Sequence, residues 1–404
     1  MRLLPIALFS LALTASLQSP RTVLFFGHAW DGSRLMNDVV IVVEGDTIAS
    51  ITERQRSAPA GAVDMRRYTA IPGLIDLHTH MTYYWDRQPG TRPLGQGRRR
   101  PAVTVFLARD NARRTLETGV TTVRDLGASN ENDFAMRDLI AMGAMPGPRM
   151  FVAGQGISAG RGQTAPDLEL TRKATDDRIK AGADWVKVYA SRGSFDSVDT
   201  TQTLTFDEMK TIVDTAHAQT RKVAIHSYGA PGVKDAVRAG ADSIEHGIEL
   251  DDETLAEMAR RGTVWVPTID HNRYYVDAKD EFGFRAEAIA PLQAYIAKNL
   301  EATRRAFKAG VKIWMGSDAV FTMFGQNTRE LEWFVKAGMT PAQALATATT
   351  TAADLLGQPQ RLGKLAPGFA ADIVAIEGKP LDNIQDVIGG VRWVMKDGTV
   401  AVRK

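Results

Sequence analysis

The sequence predicts an α/β protein: a (β/α)₈ TIM barrel with a small β-sandwich formed from both chain ends. In the middle of the chain, a helical pattern ends in Gly and an apolar run follows at once. Gly is the expected left-handed cap of a helix, and strands that are apolar on both faces are typical of parallel sheets. The predicted strands are 74–78, 120–125, 149–153, 184–189, 222–226, 242–246, 263–267 and 311–315. Eight units in succession favour a closed barrel over the alternative, a flat doubly wound sheet.

Both chain ends have a different texture, with short β-branched runs separated by turn residues. These runs are 23–26, 38–43 and 47–51 near the N-terminus, and 371–376, 391–395 and 400–402 near the C-terminus. Asp397-Gly398 between two apolar runs is a strong hairpin signal. We therefore divide the chain into a signal peptide (1–19), a β-sandwich domain (20–70 and 364–404) and a (β/α)₈ barrel (71–363) inserted between its halves.

The first residues have the pattern of a secretory signal. Arg2 supplies a positive charge, residues 3–13 are apolar but too short to span a bilayer, and residues 14–16 are small, as a cleavage site requires. Cleavage is expected between about Leu17 and Arg21. The pattern predicts a periplasmic or secreted protein without a membrane anchor after cleavage; the alternative is a disordered or buried N-terminal strand.

Composition limits the chemistry. The 404 residues contain no cysteine, which excludes disulfides, thiolate ligands and a cysteine nucleophile, so any metal site must use His and carboxylate groups. A net charge of +2 gives no indication of nucleic-acid binding. The only short basic run of note, 98–100, is interpreted as a solvated loop.

Polar side chains occur where barrel chemistry would need them, at the ends of the predicted strands. His78 and His80 are two residues apart, so both imidazoles point to one face of a strand. Lys187 lies within an apolar strand, where a charged amine is costly to bury. The remaining candidates at strand ends are His226, His246 and Asp318. Taken singly, either histidine could be a hydrogen-bonded core residue, and Asp318 could cap a turn.

The other histidines are interpreted differently. His28 falls in the terminal β-rich region and His217 in a helical pattern, so neither is expected to bind metal. His271 follows the seventh predicted strand. It could contact substrate or have a structural role, and the sequence does not decide between them.

This arrangement resembles the amidohydrolase superfamily, and within it the prolidase-like and imidazolonepropionase-like branch. The resemblance rests on the strand-end residues, on the framing of a barrel by terminal strands, and on the segment 363–374. It implies that His78, His80 and Asp318 bind one divalent metal, that His226 and His246 bind a second, and that a carbamylated Lys187 bridges them. Zinc suits nitrogen and oxygen ligands, and manganese or cobalt would also fit.

The resemblance also implies an activity. Two such metals hold a hydroxide nucleophile at neutral pH, with Asp318 as general base and then acid. The expected substrates are small molecules or dipeptides with a free carboxylate, such as Xaa-Pro, or N-acyl amino acids, including ochratoxin-like amides. Tyr228 is expected to contact substrate, and Arg161 to bind a carboxylate in place of a histidine that the branch often has there. Lys187 argues against imidazolonepropionase activity, since that enzyme lacks this lysine. The family often forms homo-oligomers.

Two alternatives remain open. The same metals could hydrolyse another bond, in a cyclic amide, a lactone or a phosphotriester. The barrel could also be catalytically inactive and used for binding, although no ligand is missing from the motif. The predicted loops 81–101, 157–168 and 270–285 would shape the pocket that decides among substrates.

Overall fold

A computed structural model describes residues 21–159, 167–194, 197–248 and 250–404. The predicted signal peptide and Arg161 therefore lie outside the described residues. Within the described ranges, no helix combines the length and the hydropathy needed to cross a membrane.

Strands and helices alternate through the middle of the described chain, whereas the ends are mostly strand. The strands are β1 (Arg21–Trp30), β2 (Leu35–Glu44), β3 (Thr47–Thr52), β4 (Val63–Pro72), β5 (Leu74–Thr79), β6 (Val120–Asp125), β7 (Arg149–Val152), β8 (Ile157–Ser158), β9 (Trp185–Tyr189), β10 (Lys222–Ser227), β11 (Ser243–His246), β12 (Val264–Val266), β13 (Lys312–Ile313), β14 (Ile373–Ile376), β15 (Val391–Lys396) and β16 (Thr399–Arg403). The helices are α1 (Pro101–Glu117), α2 (Asn132–Ala141), α3 (Leu168–Lys180), α4 (Phe206–His217), α5 (Ala230–Ala239), α6 (Asp252–Arg261), α7 (Ile269–Asp277), α8 (Lys279–Phe282), α9 (Ala286–Lys308), α10 (Glu330–Lys336), α11 (Pro341–Thr347), α12 (Thr350–Leu355) and α13 (Ile384–Gly389).

Strands from both chain ends pair in one seven-stranded sheet, in the order β16-β15-β14-β4-β1-β2-β3. β4 pairs with β1 in parallel and with β14 antiparallel, and so joins the N-terminal and C-terminal contributions. Strands from both chain ends, which the sequence assigned to one β domain, thus lie in the same sheet. The packing of that sheet as a two-layered sandwich, and the domain limits, stay predictions.

The eight predicted central strands all form and, together with the short β8, make two parallel sheets ordered β5-β6-β7 and β13-β12-β11-β10-β9-β8. Hydrogen bonds link the two sheets at both edges. At one edge, the Leu77 N–H donates to the carbonyl of Met315 over 3.0 Å, and at the other the Asp184 N–H donates to the carbonyl of Val152 over 2.8 Å. This is a TIM-barrel-type α/β fold, and the bonds at both seams support the predicted closure.

The glycines predicted to end helices adopt the expected backbone. The residues concerned all have positive φ angles, between 74° and 102°: Gly119, Gly182, Gly240, Gly262 and Gly310. Because L-residues with a Cβ rarely adopt this region, glycine lets each chain segment reverse directly into the next strand.

Three local predictions need correction. Residues 63–72 form β4, which was not predicted, so Ile71 lies in a strand of the terminal sheet, although the predicted barrel begins at residue 71. The chain crosses between sheets at Gly73, where an added Cβ would lie 2.2 Å from Oγ1 of Thr121. The predicted loop 270–285 is largely helical, since α7 and α8 occupy it, and the predicted loop 157–168 begins with the short strand β8.

Candidate metal centre

Six predicted ligands come together at the carboxyl ends of the barrel strands, where they line one buried cavity. They are His78 and His80 of β5 and its end, Lys187 of β9, His226 of β10, His246 of β11, and Asp318 after β13. Each is at most 7% exposed. The structure thus brings together the residues that the sequence placed at five separate strand ends.

One half of the centre is formed by Asp318 and the two histidines of the first barrel strand. Oδ1 of Asp318 lies 3.2 Å from Nε2 of His80 and 3.5 Å from Nε2 of His78. The ligand atoms of these three residues all lie within 4.8 Å of one another, as a shared metal ion requires. Asp318 has a left-handed backbone, with φ of 53°, a strained conformation that is concentrated at functional sites.

The other half is formed by His226 and His246, with Lys187 between the two halves. The rings of His226 and His246 have centroids 4.6 Å apart, and His246 also has a left-handed backbone, with φ of 68°. Nζ of Lys187 is buried and has no hydrogen-bond partner among the described residues. Burial lowers the pKa of Lys187 to about 8, and burial likewise holds the pKa values of His226 and His246 well below their usual range.

Outer contacts fix the orientation of three imidazoles. Nδ1 of His80 donates to the carbonyl of Gly127 over 2.9 Å, Nδ1 of His246 lies 2.7 Å from Oγ1 of Thr268, and Nδ1 of His78 lies 2.8 Å from Oε2 of Glu245. In each ring the Nδ1 is thereby engaged and Nε2 is left for the cavity. Such partners set the tautomer and basicity of metal-binding histidines.

A fully buried ion pair supports His78 from the barrel interior. The guanidinium of Arg124 donates to Oε1 of Glu245 over 2.8 Å and to Oγ of Ser243 over 2.8 Å, and its centre lies 4.5 Å from the ring of Trp185. Burial alone would raise the pKa of Glu245, but the positive charge of Arg124 lowers this pKa to about 2. Neither charged residue was identified from the sequence, because each has a polar neighbour, Asp125 or His246, whereas Lys187 has an apolar neighbour on both sides.

A second buried carboxylate organises the turn that carries Asp318. Asp76 accepts hydrogen bonds from the backbone N–H of Ser317 (2.8 Å), from its hydroxyl (2.5 Å) and from the amide of Asn327 (3.0 Å). The Asp318 N–H in turn donates to the carbonyl of His78 over 2.7 Å. The strained residue is therefore held by contacts on both sides.

The predicted substrate contacts have different outcomes. Tyr228 lines the cavity and stacks on His246 with ring centroids 5.0 Å apart. His271 also lines it, and holds Asp318: its Nδ1 donates to the Asp318 carbonyl over 2.8 Å, and its Nε2 lies 3.2 Å from Oδ2. Arg161 is outside the described residues, so its role stays a prediction. His28 and His217 lie away from the cavity, as expected; His217 pairs with Asp242 at 2.8 Å.

The donor set fits divalent metal ions. Besides Nδ1 of His78, which lies 2.8 Å from Glu245, four buried atoms of the candidate ligands have no hydrogen-bond partner in the described chain: Nε2 of His78, Nζ of Lys187, Nε2 of His226 and Oδ1 of Asp318. Buried polar atoms are nearly always satisfied, and a group of unpaired ones in one cavity indicates a missing partner. Imidazole nitrogens and a carboxylate are suitable ligands for zinc, manganese or cobalt.

Comparisons with known proteins agree with this geometry. The amidohydrolase family model matches residues 69–401. Ochratoxinase from Aspergillus niger is 30% identical, over 88% of this chain and 80% of the ochratoxinase. A crystal structure of a Xaa-Pro dipeptidase with methionine bound in its active site superposes with a TM-score of 0.85 at 30% identity, covering 94% of this chain and 99% of that one. A prolidase in complex with N-methylphosphonate-L-proline gives a TM-score of 0.84 at 28% identity, covering 95% and 100%.

The strand-end pattern, the cavity and these matches lead to one assignment. The family is generally metal-dependent, in keeping with the His78, His80 and Asp318 group. Its similar members include hydrolases of amide and peptide bonds. The chain belongs to the amidohydrolase family, in the prolidase-like branch, and is a hydrolase of C–N bonds.

Proposed function

We propose that the protein is an exported, binuclear metal-dependent amidohydrolase that cleaves the amide or peptide bond next to a C-terminal amino acid. The observation that carries this proposal is the convergence of six predicted ligands from five strand ends in one buried cavity. Two metals need more donors than the three-residue group of His78, His80 and Asp318 provides, and the unpaired nitrogens of Lys187 and His226 supply them.

The ligands divide between two metals by position. His78, His80 and Asp318 would hold one ion, and His226 and His246 the other, with Lys187 between them as a carbamate. Carbamylation would convert a buried amine without a partner into an anion between two cations, which removes the cost of burying it. When bound, the metals would activate a water molecule and polarise the scissile carbonyl. Zinc is the metal we propose, with manganese or cobalt as substitutes.

The side chains of the cavity then have separate tasks. Asp318 accepts the proton of the attacking water and delivers it to the leaving nitrogen, as a general base and then acid. His271 keeps the Asp318 carboxylate in place, because its two ring nitrogens contact the backbone and the side chain of that residue. Tyr228, packed on His246, contributes a wall against which the substrate lies.

Substrates with a C-terminal carboxylate are favoured by the nature of the similar proteins. Ochratoxinase, a Xaa-Pro dipeptidase and a prolidase are among them. We therefore propose dipeptides, including Xaa-Pro, and N-acyl amino acids, including ochratoxin-like amides, as the substrate class. Export to the periplasm or medium is proposed from the first nineteen residues, and a homo-oligomer from the family.

The test is a panel of dipeptides and N-acyl amino acids assayed with metal-free protein and after addition of zinc. We expect hydrolysis only with metal, and close to two ions per chain by elemental analysis. A panel of lactones, cyclic amides and phosphotriesters run in parallel separates the proposed bond from the others. Activity confined to that second panel would refute the amide assignment, and a stoichiometry well below two would refute the binuclear centre.

A further inference from the structure

A second cavity, of about 420 Å³, adjoins the metal cavity. Tyr83 lines both of them, and its ring stacks on the metal-ligand candidate His80 with centroids 4.7 Å apart. The outer cavity lies between the segment after β5, the turn that precedes α2 and the end of β7. Tyr83 therefore forms a wall shared by the metal cavity and this outer space, which we call the Tyr83 pocket.

The charge of the Tyr83 pocket has one sign. Arg98 and Arg99 line it, and no carboxylate is among its described lining residues. Arg99 is neutralised, since its guanidinium contacts Oδ2 of Asp86 at 2.5 Å. Arg98 makes no ion pair or hydrogen bond with any described residue, so it offers a positive charge that the protein itself does not balance.

The segment that carries Arg98 is held in place by its neighbours. Oε1 of Gln96 accepts a hydrogen bond from the Asp86 N–H over 3.2 Å, and Nε2 of Gln96 donates to the carbonyls of Tyr84 and Pro93. Together with the Arg99–Asp86 ion pair, these contacts join the two ends of the segment 84–99. Arg98 is therefore presented from an ordered base, which lowers the entropy lost when its side chain binds a ligand.

The opposite wall supplies uncharged hydrogen-bonding groups. Ser129, Asn130, Asn132 and Gln155 line the pocket, and none of these side chains bonds to another described residue. Asn130 and the next residue, Glu131, have consecutive left-handed φ angles of 56° and 55°, and strain of this kind is concentrated at binding sites. A guanidinium and several amide and hydroxyl groups, none of them bonded to a described residue, together suit a carboxylate.

We propose that the Tyr83 pocket is a subsite for a carboxylate of the substrate and that Arg98 is the residue that selects for it. This inference rests on the proposed amidohydrolase function and specifies its substrate class. Two carboxylates could be the one that is bound: the C-terminal carboxylate of the leaving amino acid, or an acidic side chain on the residue that precedes the scissile bond. The chemistry recognised is the same in both cases.

The experiment compares Arg98→Ala with Arg100→Ala in the zinc-loaded full-length protein. Arg100 is an adjacent exposed arginine that does not line the pocket, so it controls for loss of one surface charge. Each variant is assayed with Gln-Leu against Gln-Leu amide, and with Glu-Leu against Gln-Leu. These pairs differ only in the C-terminal carboxylate or only in the side-chain carboxylate.

We expect Arg98→Ala to lower kcat/KM for the charged member of one pair by about tenfold, which corresponds to about 1.4 kcal/mol. The uncharged member should stay within about twofold, and Arg100→Ala should affect neither pair. The pair that responds identifies the bound carboxylate. Equal loss on the charged and uncharged members of both pairs, or equal effects of the two variants, would overturn the proposal.

A binding measurement keeps this test separate from the proposed function. Calorimetry with the unmodified protein and both variants uses two ligand pairs, N-acetylleucine with its amide and N-acetylglutamate with N-acetylglutamine, and reports on the pocket even if no dipeptide is cleaved. Tighter binding of the charged member of one pair that is lost in Arg98→Ala, and that weakens at high salt as an exposed charge requires, supports the subsite. Equal affinity of the unmodified protein for the two members of each pair would refute it, whatever the outcome of the hydrolysis panel.

Discussion

Three charged side chains of the barrel strands are buried: Lys187, Arg124 and Glu245. The sequence identifies Lys187 because its neighbours on both sides are apolar. The ion pair between Arg124 and Glu245 could not be predicted from the sequence. It joins β6 to β11 across the barrel and depends on a strand register that no local pattern encodes. Candidate ligands at strand ends can be predicted from the sequence. The residues that orient those ligands can be identified only once the strands are assembled in the barrel.

Asp318→Asn is the first test at the level of residues. We expect the variant to retain metal, because the amide oxygen still reaches the ion, and to lose kcat by at least about a hundredfold, the contribution of a general acid-base group. Elemental analysis and kcat measured on the same sample check both parts. Asp280→Asn, an exposed position in α8, should leave both unchanged. Near-normal turnover in Asp318→Asn would refute the proton-transfer role.

Glu245→Gln tests the support of His78. Glutamine cannot provide the carboxylate that faces Nδ1, so metal affinity should fall by about ten- to a hundredfold. Stability should fall by roughly 3 kcal/mol, because Arg124 loses its buried counter-charge. Competition with a chelator measures the affinity, and denaturant unfolding measures the stability. Glu253→Gln, which alters an exposed pair with Lys234, should change either quantity little; unchanged metal binding in Glu245→Gln would contradict the supporting role.

At the scale of elements, the eight barrel strands could be predicted because each is a short apolar run, and five of them directly follow a helix-ending glycine. β4 could not, because it carries Arg66 and Arg67, ends in Pro72, and alternates between exposed and buried positions before its buried end. Its role as the link between the two chain ends depends on pairing with β14, some 300 residues away in the sequence. Long-range pairing of this kind leaves no local signal.

The close contact between β5 and the segment after β13 gives a prediction for an element. A Cβ added at Gly316 would lie 3.0 Å from the backbone N of His78, 2.9 Å from its Cβ and 2.5 Å from Cγ1 of Val266. Gly316→Ala should therefore push the Asp318 turn away from His78 and separate ligands of one metal. We expect weaker metal binding and a loss of kcat/KM of at least about tenfold, since small misplacements are costly in catalysis.

The matched control for Gly316→Ala is Gly389→Ala, where an added Cβ has no atom within 4 Å. Gly389 is the last residue of α13 and is far in sequence from the metal ligands. The substitution Gly389→Ala should leave the stability of the protein unchanged or raise it slightly, because alanine favours helix. Both proteins are compared by metal titration and thermal unfolding. Identical metal affinity in the two variants would show that the β5 contact does not set the ligand geometry.

At the scale of the whole molecule, the sequence predicts the order of strands and the grouping of both chain ends, because these follow from periodicity and composition. It does not predict that the terminal strands pair as one seven-stranded sheet, nor which buried carboxyl groups the assembled core creates. Glu330 is such a group. It accepts hydrogen bonds from the N–H groups of Ile269 (2.9 Å) and Asp270 (2.8 Å) at the start of α7, the helix that carries His271.

Burial raises the pKa of Glu330 from its ordinary 4.5 to about 8. The unfolded chain releases this proton near pH 4.5, while the folded protein keeps it until about pH 8. Between these values the folded state binds more protons, so this group makes the free energy of unfolding fall as pH rises. The slope for one group is at most about 1.4 kcal/mol per pH unit, and it should vanish above about pH 8, where both states are ionised.

Glu330→Gln isolates this contribution. Denaturant unfolding of the metal-free protein at a series of pH values between about 5 and 8 should show a shallower decline in the variant than in the unmodified chain. The chelated form is used because bound metal would add its own pH dependence. Glu332→Gln, two residues further along α10 and only partly buried, should leave the slope unchanged. If the slopes of Glu330→Gln and the unmodified protein coincide, Glu330 is ionised in the folded state, and its carboxylate then acts as the N-terminal cap of the helix that positions His271 against Asp318.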